Sequence, residues 1–261
     1  MASTAPAFGR FEIGGVVRRM VSGIGDNWRT LLIVAGVTGL VSVAVSALSI
    51  SQIAGALSPG NPNAMLAVFA SPVYWLASFG SLFVTAFTLT ALLGVLVGRE
   101  GEAANAGDAL RVAVRRFLPM LALTILWALG LMIGYLLIVV PALILLTMWS
   151  VSAPALVAEG LGPIAAFGRS RALTKGFRWP VFGALILFGI VYLVVTGVLQ
   201  GGSMVGMITL YQSSPVAAMA LGIVIAAVMG IFNAAFLAGL YGELREVKEG
   251  GSKSRLADVF A

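Results

Sequence analysis

The 42 residues from Phe117 to Ala158, FLPMLALTILWALGLMIGYLLIVVPALILLTMWSVSAPALVA, contain no charged side chain. As a single helix they would extend for about 63 Å, roughly twice the hydrocarbon thickness of a bilayer, so the chain must turn back midway. The turn is placed between Leu137 and Pro141, which gives two crossing helices over about 118–137 and 141–158. The flanking sequence repeats the pattern. Thr30 to Gly98 and Trp179 to Gly242 are also free of charge, and each also suits a hairpin of two helices. Four short clusters around these three stretches hold all 16 basic and 10 acidic residues. The pattern predicts an all-α polytopic membrane protein, 1–261 forming one integral membrane domain. Its six helices cover about 31–57, 72–98, 118–137, 141–158, 179–199 and 215–241, with a tail at 243–261.

This arrangement puts every Arg and Lys on one side of the bilayer, and the positive-inside rule makes that side cytoplasmic. Both termini then lie in the cytoplasm of a bacterial cell, and the protein belongs to its inner membrane. The opposite side carries turns only, at Ser58 to Asn63, between Leu137 and Pro141, and in Gln200 to Ser214. The chain re-enters near Pro72, with Tyr74 and Trp75 placed as interfacial anchors. The small residues Ala44 to Ala47 imitate a signal-peptide cleavage site. They stand too far behind Arg10, Arg18, Arg19 and Arg29 for a usual leader, so the first helix is expected to stay as an anchor.

Composition excludes most chemistry. Apolar residues make up 60% and charged residues 10% of the chain, whereas a soluble domain carries about 25% charge. The net charge of +6 comes without a nucleic-acid motif and flanks hydrophobic spans, so anionic headgroups are the nearer partner than nucleic acid. With no Cys and no His, thiol chemistry, catalytic triads and the commonest metal ligand are missing. The Gly-rich stretch Gly197 to Gly206 lacks the Lys of a phosphate-binding loop. No enzyme activity, cofactor or metal is expected.

Before each hairpin lies a stretch mixing apolar and basic residues at helical spacing, at Phe11 to Asn27, Gly107 to Arg116 and Gly162 to Phe177. Each is expected to be an amphipathic helix at the membrane surface. In the second, Leu110, Val114 and Phe117 fall at i, i+4 and i+7 beside Arg111 and Arg115, with Arg116 following. In the third, Arg171, Lys175 and Arg178 fall at i, i+4 and i+7 on a helix starting near Pro163. These six cations are the candidate lipid-headgroup contacts.

The third linker reads Ala153-Pro154-Ala155-Leu156-Val157-Ala158-Glu159-Gly160 and then Ala165 to Trp179, with Arg169-Ser170 and Leu173-Thr174-Lys175-Gly176 inside it. Together with Tyr241-Gly242-Glu243-Leu244-Arg245-Glu246-Val247-Lys248-Glu249-Gly250, it resembles the bacterial integral membrane family that includes the membrane domain attached to some glycerophosphoryl diester phosphodiesterases. The resemblance implies a six-helix bundle and supplies no activity, because the phosphodiesterase chemistry belongs to a separate soluble domain that these residues do not encode. It places Glu159 and Arg169 in one motif, and the two are expected to pair and fix the angle between the fourth helix and the linker.

Polar groups within the spans are neutral: Ser42, Ser46 and Ser49, Thr85 and Thr88, Thr147 and Ser150, and Asn233. They suit hydrogen bonding within the bundle, or else a path for a neutral or amphipathic solute. Gly pairs four apart, at Gly94 and Gly98, Gly130 and Gly134, Gly197 and Gly201, and Gly202 and Gly206, suit helix contacts first and a homo-oligomer second. The favoured expectation is a non-catalytic, lipid-interacting or membrane-organising protein. A transporter or channel subunit is the alternative, and assembly with a membrane or cytoplasmic protein partner a third.

Overall fold

The structure, a computed structural model, describes residues 11–56, 64–97, 105–137, 139–198 and 213–250. Its helices are α1 (Ile13–Ala56), α2 (Ala64–Ala70), α3 (Pro72–Leu96), α4 (Ala106–Leu137), α5 (Val139–Trp149), α6 (Ser152–Glu159), α7 (Pro163–Thr174), α8 (Arg178–Thr196) and α9 (Pro215–Arg245), followed by a π turn at Glu246–Gly250. No strand occurs among the described residues. Six helical stretches there are long and apolar enough to cross a membrane: Ile13–Val45, Pro72–Leu96, Ala106–Leu137, Val140–Glu159, Arg178–Thr196 and Val216–Gly250. Large apolar side chains such as Leu136, Leu193 and Leu76 point outward, a surface that acyl chains tolerate and water does not.

Proline starts three of these helices. Pro72, Pro163 and Pro215 stand at the first or second helical position, where a missing N–H costs nothing because it would have no partner. The outer turns at Ser58 to Asn63 and Gln200 to Ser214 lie outside the described residues, apart from Ser213 and Ser214. In the second hairpin only Ile138, itself outside them, separates α4 from α5. Pro141 therefore sits in the first turn of α5 rather than before it.

The six spanning elements form a ring in which α1, α3, α4, α5, α8 and α9 are successive neighbours and α9 closes onto α1; α3 also touches α9 across the ring. The α1–α9 pair is the most extensive. Lipid is as apolar as Leu, so helix association here depends on close packing rather than on escape from water. Glycine permits that approach. A Cβ at Gly239 would lie 2.7 Å from the Val16 carbonyl oxygen, and one at Gly134 would lie 2.9 Å from the Ala142 Cα. One buried cluster joins Leu31, Val34, Leu92, Leu93, Met120 and Leu156. A second joins Val16, Val151, Leu173, Val181, Phe236 and Leu240.

The three linkers differ from the expected set of separate surface helices. The first is continuous with its crossing helix, α1 running from Ile13 to Ala56 with a single non-helical residue, Asn27 (φ −121°, ψ 15°). The second is simply the charged end of α4, whose helix passes through Pro119 without ending. No glycine lies between Gly107 and Gly130, and Pro119 removes one helical hydrogen bond rather than several. Its buried face holds Ala109 and Ala113, with Val112 against Gly94, while Val114 of the expected apolar stripe is exposed. Only the third linker contains a separate helix, α7. It stops at Thr174, because Lys175 is extended (φ −62°, ψ 123°) and Gly176 takes φ +92°. Arg171, Lys175 and Arg178 therefore do not share one helical face; Arg178 opens α8 instead.

Candidate functional site at the charged end

Contacts between distant segments bring the four charged clusters to one end of the bundle. Arg19 Nε donates to Glu243 at 3.1 Å and also pairs with Glu246, joining the first cluster to the last. Arg116 donates to the Gly160 carbonyl at 2.9 Å, joining the second to the third. Arg169 pairs with Glu249, joining the third to the last.

The centre of this end is a chain of groups drawn from α6, α7 and α9. Arg169 Nε lies 2.7 Å from Glu159 Oε1 and 3.0 Å from Oε2, so the two residues expected to pair are paired. Tyr241 donates its hydroxyl to Glu159 Oε1 at 2.8 Å, and Arg245 Nε donates to Glu249 Oε2 at 3.0 Å. Burial opposes the charge on Arg169, but hydrogen bonds from its guanidinium to Glu249 and Glu159 outweigh that and raise its pKa above the ordinary value. A planar guanidinium has a fork of donors that can serve two carboxylates at once.

Beside this network the fourth crossing is broken between α5 and α6. Pro154 has no N–H to offer the carbonyl of Ser150, and its ring crowds that carbonyl, so a continuous helix is disfavoured there. Helix ends leave carbonyls without partners, and in an apolar setting each must find one. Hydroxyls supply them in sequence: Ser150 donates to Thr147 O at 3.0 Å, Ser170 to Met148 O at 2.7 Å, and Ser152 to Trp149 O at 2.7 Å. Ser170 Oγ also accepts the Val151 N–H at 3.3 Å. A buried backbone group left alone costs about 1–3 kcal/mol, and this one hydroxyl spares two of them that cost. Trp149 packs against Phe167 with the rings tilted at 48° and their centroids 4.5 Å apart, which holds α5 to α7 at the same level, and Gly130 leaves room for the Trp149 ring.

The acids here are largely engaged with the protein's own cations, whereas many cations remain outside. Arg18, Arg29, Arg115, Arg171, Lys175 and Arg178 are exposed and form no ion pair among the described residues. Arg111 sits 3.5 Å from Asp108, with both side chains well exposed. Arg116 is instead committed to the Gly160 carbonyl, where α6 ends in a left-handed residue (φ +70°). Lys248 donates to the Ala172 carbonyl at 2.8 Å. Glu12 and Asp26 are exposed. Among the described residues no three acidic side chains gather in a way that would hold a metal ion.

The neutral polar residues within the spans mostly bond to their own helices. Ser42 donates to Thr38 O at 2.9 Å and Thr147 to Leu143 O at 2.7 Å. Thr85 is exposed, and Thr88 Oγ1 is buried with no hydrogen-bond partner among the described residues. Asn233 is half-buried in α9. The side chains of Ser46 and Ser49 lie outside the described residues.

Sequence reasoning missed Ser170, Tyr241, Arg245 and Glu249 as members of this site, although all four stand inside the quoted motifs. A signal for Ser170 was available in Pro154, which implies orphan carbonyls one turn earlier and hence a nearby donor. The Arg19 to Glu243 clasp carried no local signal, because its partners lie more than two hundred residues apart. Comparison with known proteins gives no matching family model, no matching curated protein and no matching solved structure. The fold and this charged end together define a polytopic helical membrane protein, and its function is argued from the site alone.

Proposed function

We propose that this is a non-catalytic, lipid-interacting protein of the bacterial inner membrane, with its charged end in the cytoplasm and exposed cations there held against anionic headgroups. One observation carries the reading: at the charged end Glu159, Glu243, Glu246 and Glu249 are engaged by Arg19, Arg169 and Arg245, while Arg115, Arg171, Lys175 and Arg178 stay exposed and unpaired among the described residues. A cation beside an anionic leaflet contributes about 1 kcal/mol. The three around the α7–α8 turn, Arg171, Lys175 and Arg178, thus give a preference of up to about a hundredfold at low salt. The resemblance of the third linker and the last helix end to the membrane family named above fits this reading, since its residues Pro154, Glu159, Arg169 and Ser170 are those that shape the charged end.

The test is lipid retention. Protein extracted from a membrane containing phosphatidylglycerol and phosphatidylethanolamine should keep the anionic lipid preferentially, as read by mass spectrometry. The triple variant Arg171→Gln, Lys175→Gln, Arg178→Gln should lose most of that preference while its melting temperature stays within a few degrees. Equal retention by both proteins would remove the headgroup reading. A reporter fused at Gly168 should score cytoplasmic, and a periplasmic score there would overturn the orientation.

A further inference from the structure

The segment of α1 before Asn27 has three distinct faces. Val16, Met20 and Gly23 turn inward: Val16 and Met20 lie against Gly239 of α9, and Gly23 lies against Leu96 of α3. The segment therefore touches the end of α9 with its first turns and the end of α3 with a later one. A second face carries Ile13, Val17 and Val21, all exposed, Val21 at 63%. At 100° per residue these three fall within about one quarter of the helix circumference. A third face carries Arg18, Ser22 and Gly25, also exposed; just past the kink stand Trp28 and Arg29, both exposed, with Arg29 5.2 Å from the Trp28 ring centroid.

Length forbids a simple crossing. All of α1 would span about 66 Å if straight, against a hydrocarbon core of about 30 Å. After Asn27 the outward surface continues as Leu32, Ile33, Val37, Leu40 and Val41, so the exposed stripe joins the face that meets acyl chains. The other two linkers do not repeat the design. The face of α7 that holds Ala166, Ser170 and Leu173 is buried against protein, and the charged end of α4 is a direct extension of a crossing helix.

We propose that residues 13–26 are a membrane-surface helix whose stripe of Ile13, Val17 and Val21 is seated in the headgroup and acyl boundary of the leaflet at the charged end. An amphipathic helix with apolar groups on one face and Arg beside them binds at that depth. The occupant of this face is the bilayer itself, as the continuity with the lipid-facing side of α1 and the flanking cations require. Ionic clasps from Arg19 to Glu243 and Glu246 tie the surface helix to α9. The inference rests on the charged end facing a leaflet and does not require that leaflet to be anionic.

The chain has no Cys, so single cysteines can carry spin labels without background. Labels at Val17→Cys, Val21→Cys, Ser22→Cys and Gly25→Cys, all at exposed positions, are read in lipid nanodiscs by their collision rates with oxygen and with a water-soluble nickel chelate. The oxygen-to-nickel ratio should be several-fold higher at residues 17 and 21 than at 22 and 25. It should remain so in purely zwitterionic lipid. Four equally nickel-accessible labels would overturn the proposal, as would labels at 17 and 21 shielded from both reagents with spin–spin broadening, the mark of a second copy covering this face. A normal depth pattern combined with no anionic-lipid retention would reject the headgroup reading alone.

Discussion

Replacing Arg169 with Glu should lower the thermal stability of the detergent-solubilised protein more than any other single change at the charged end. Arg169 holds Glu159 on α6 and Glu249 in the π turn with one guanidinium. Removing one partner of a buried pair costs about 3–5 kcal/mol, but these side chains are 27%, 23% and 37% exposed, which argues for a smaller loss. About 2 kcal/mol is expected for Arg169→Ala, and about twice that for Arg169→Glu, where a third carboxylate meets the other two. Arg169→Lys should fall between wild type and Ala, because an ammonium has no planar fork to serve both acids. Adding Glu159→Arg to Arg169→Glu restores one pair with reversed polarity and should recover part of the loss. A melting temperature for Arg169→Glu within a degree of wild type would show that the network contributes nothing to stability.

The second large effect is steric. A Cβ at Gly239 would meet the Val16 carbonyl oxygen at 2.7 Å and the Met20 nitrogen at 3.3 Å, and backbone atoms cannot turn aside as a rotamer can. Gly239→Val should therefore force α1 away from α9 along their extensive contact, at a cost of about 3 kcal/mol, the upper end for overpacking. Gly239→Ala should show the same defect in weaker form. Gly183 in α8 has nothing within 4 Å of its would-be Cβ. Gly183→Ala should be neutral or stabilising by up to about 1 kcal/mol through helix propensity. Unfolding measured for the three variants side by side checks this, and equal effects at residues 183 and 239 would refute the close-contact argument.

The crossing helices were legible because charge is excluded from a bilayer, and exclusion leaves long gaps that any reader of the sequence can measure. Convergence of the charged clusters on one end follows from the same gaps, each accommodating an even number of crossings. The linkers were harder. A basic amphipathic pattern says that a segment prefers an interface, but helices end where the backbone forces them to. Gly176 at φ +92° ends α7, and Pro154 breaks the fourth crossing, whereas nothing near Arg116 ends α4. Reading Arg171, Lys175 and Arg178 as one face carried a helix through the glycine that stops it. The Glu159 and Arg169 pair was accessible because it is local, spanning one short turn. Its extension to Tyr241 and Glu249 was not, because contacts across the whole chain leave no periodic trace.

Both clasps of the charged end close on the segment from Glu243 to Glu249, one from Arg19 and one from Arg169. During synthesis that segment emerges 224 residues after Arg19. Early hairpins must therefore enter the membrane and wait with their ionic partners unmet, Arg19 against water or headgroups rather than Glu243. Closure of the ring is a late event in the biogenesis of this protein, and the last helix acts on the earlier ones as a keystone acts on an arch already standing on its scaffold.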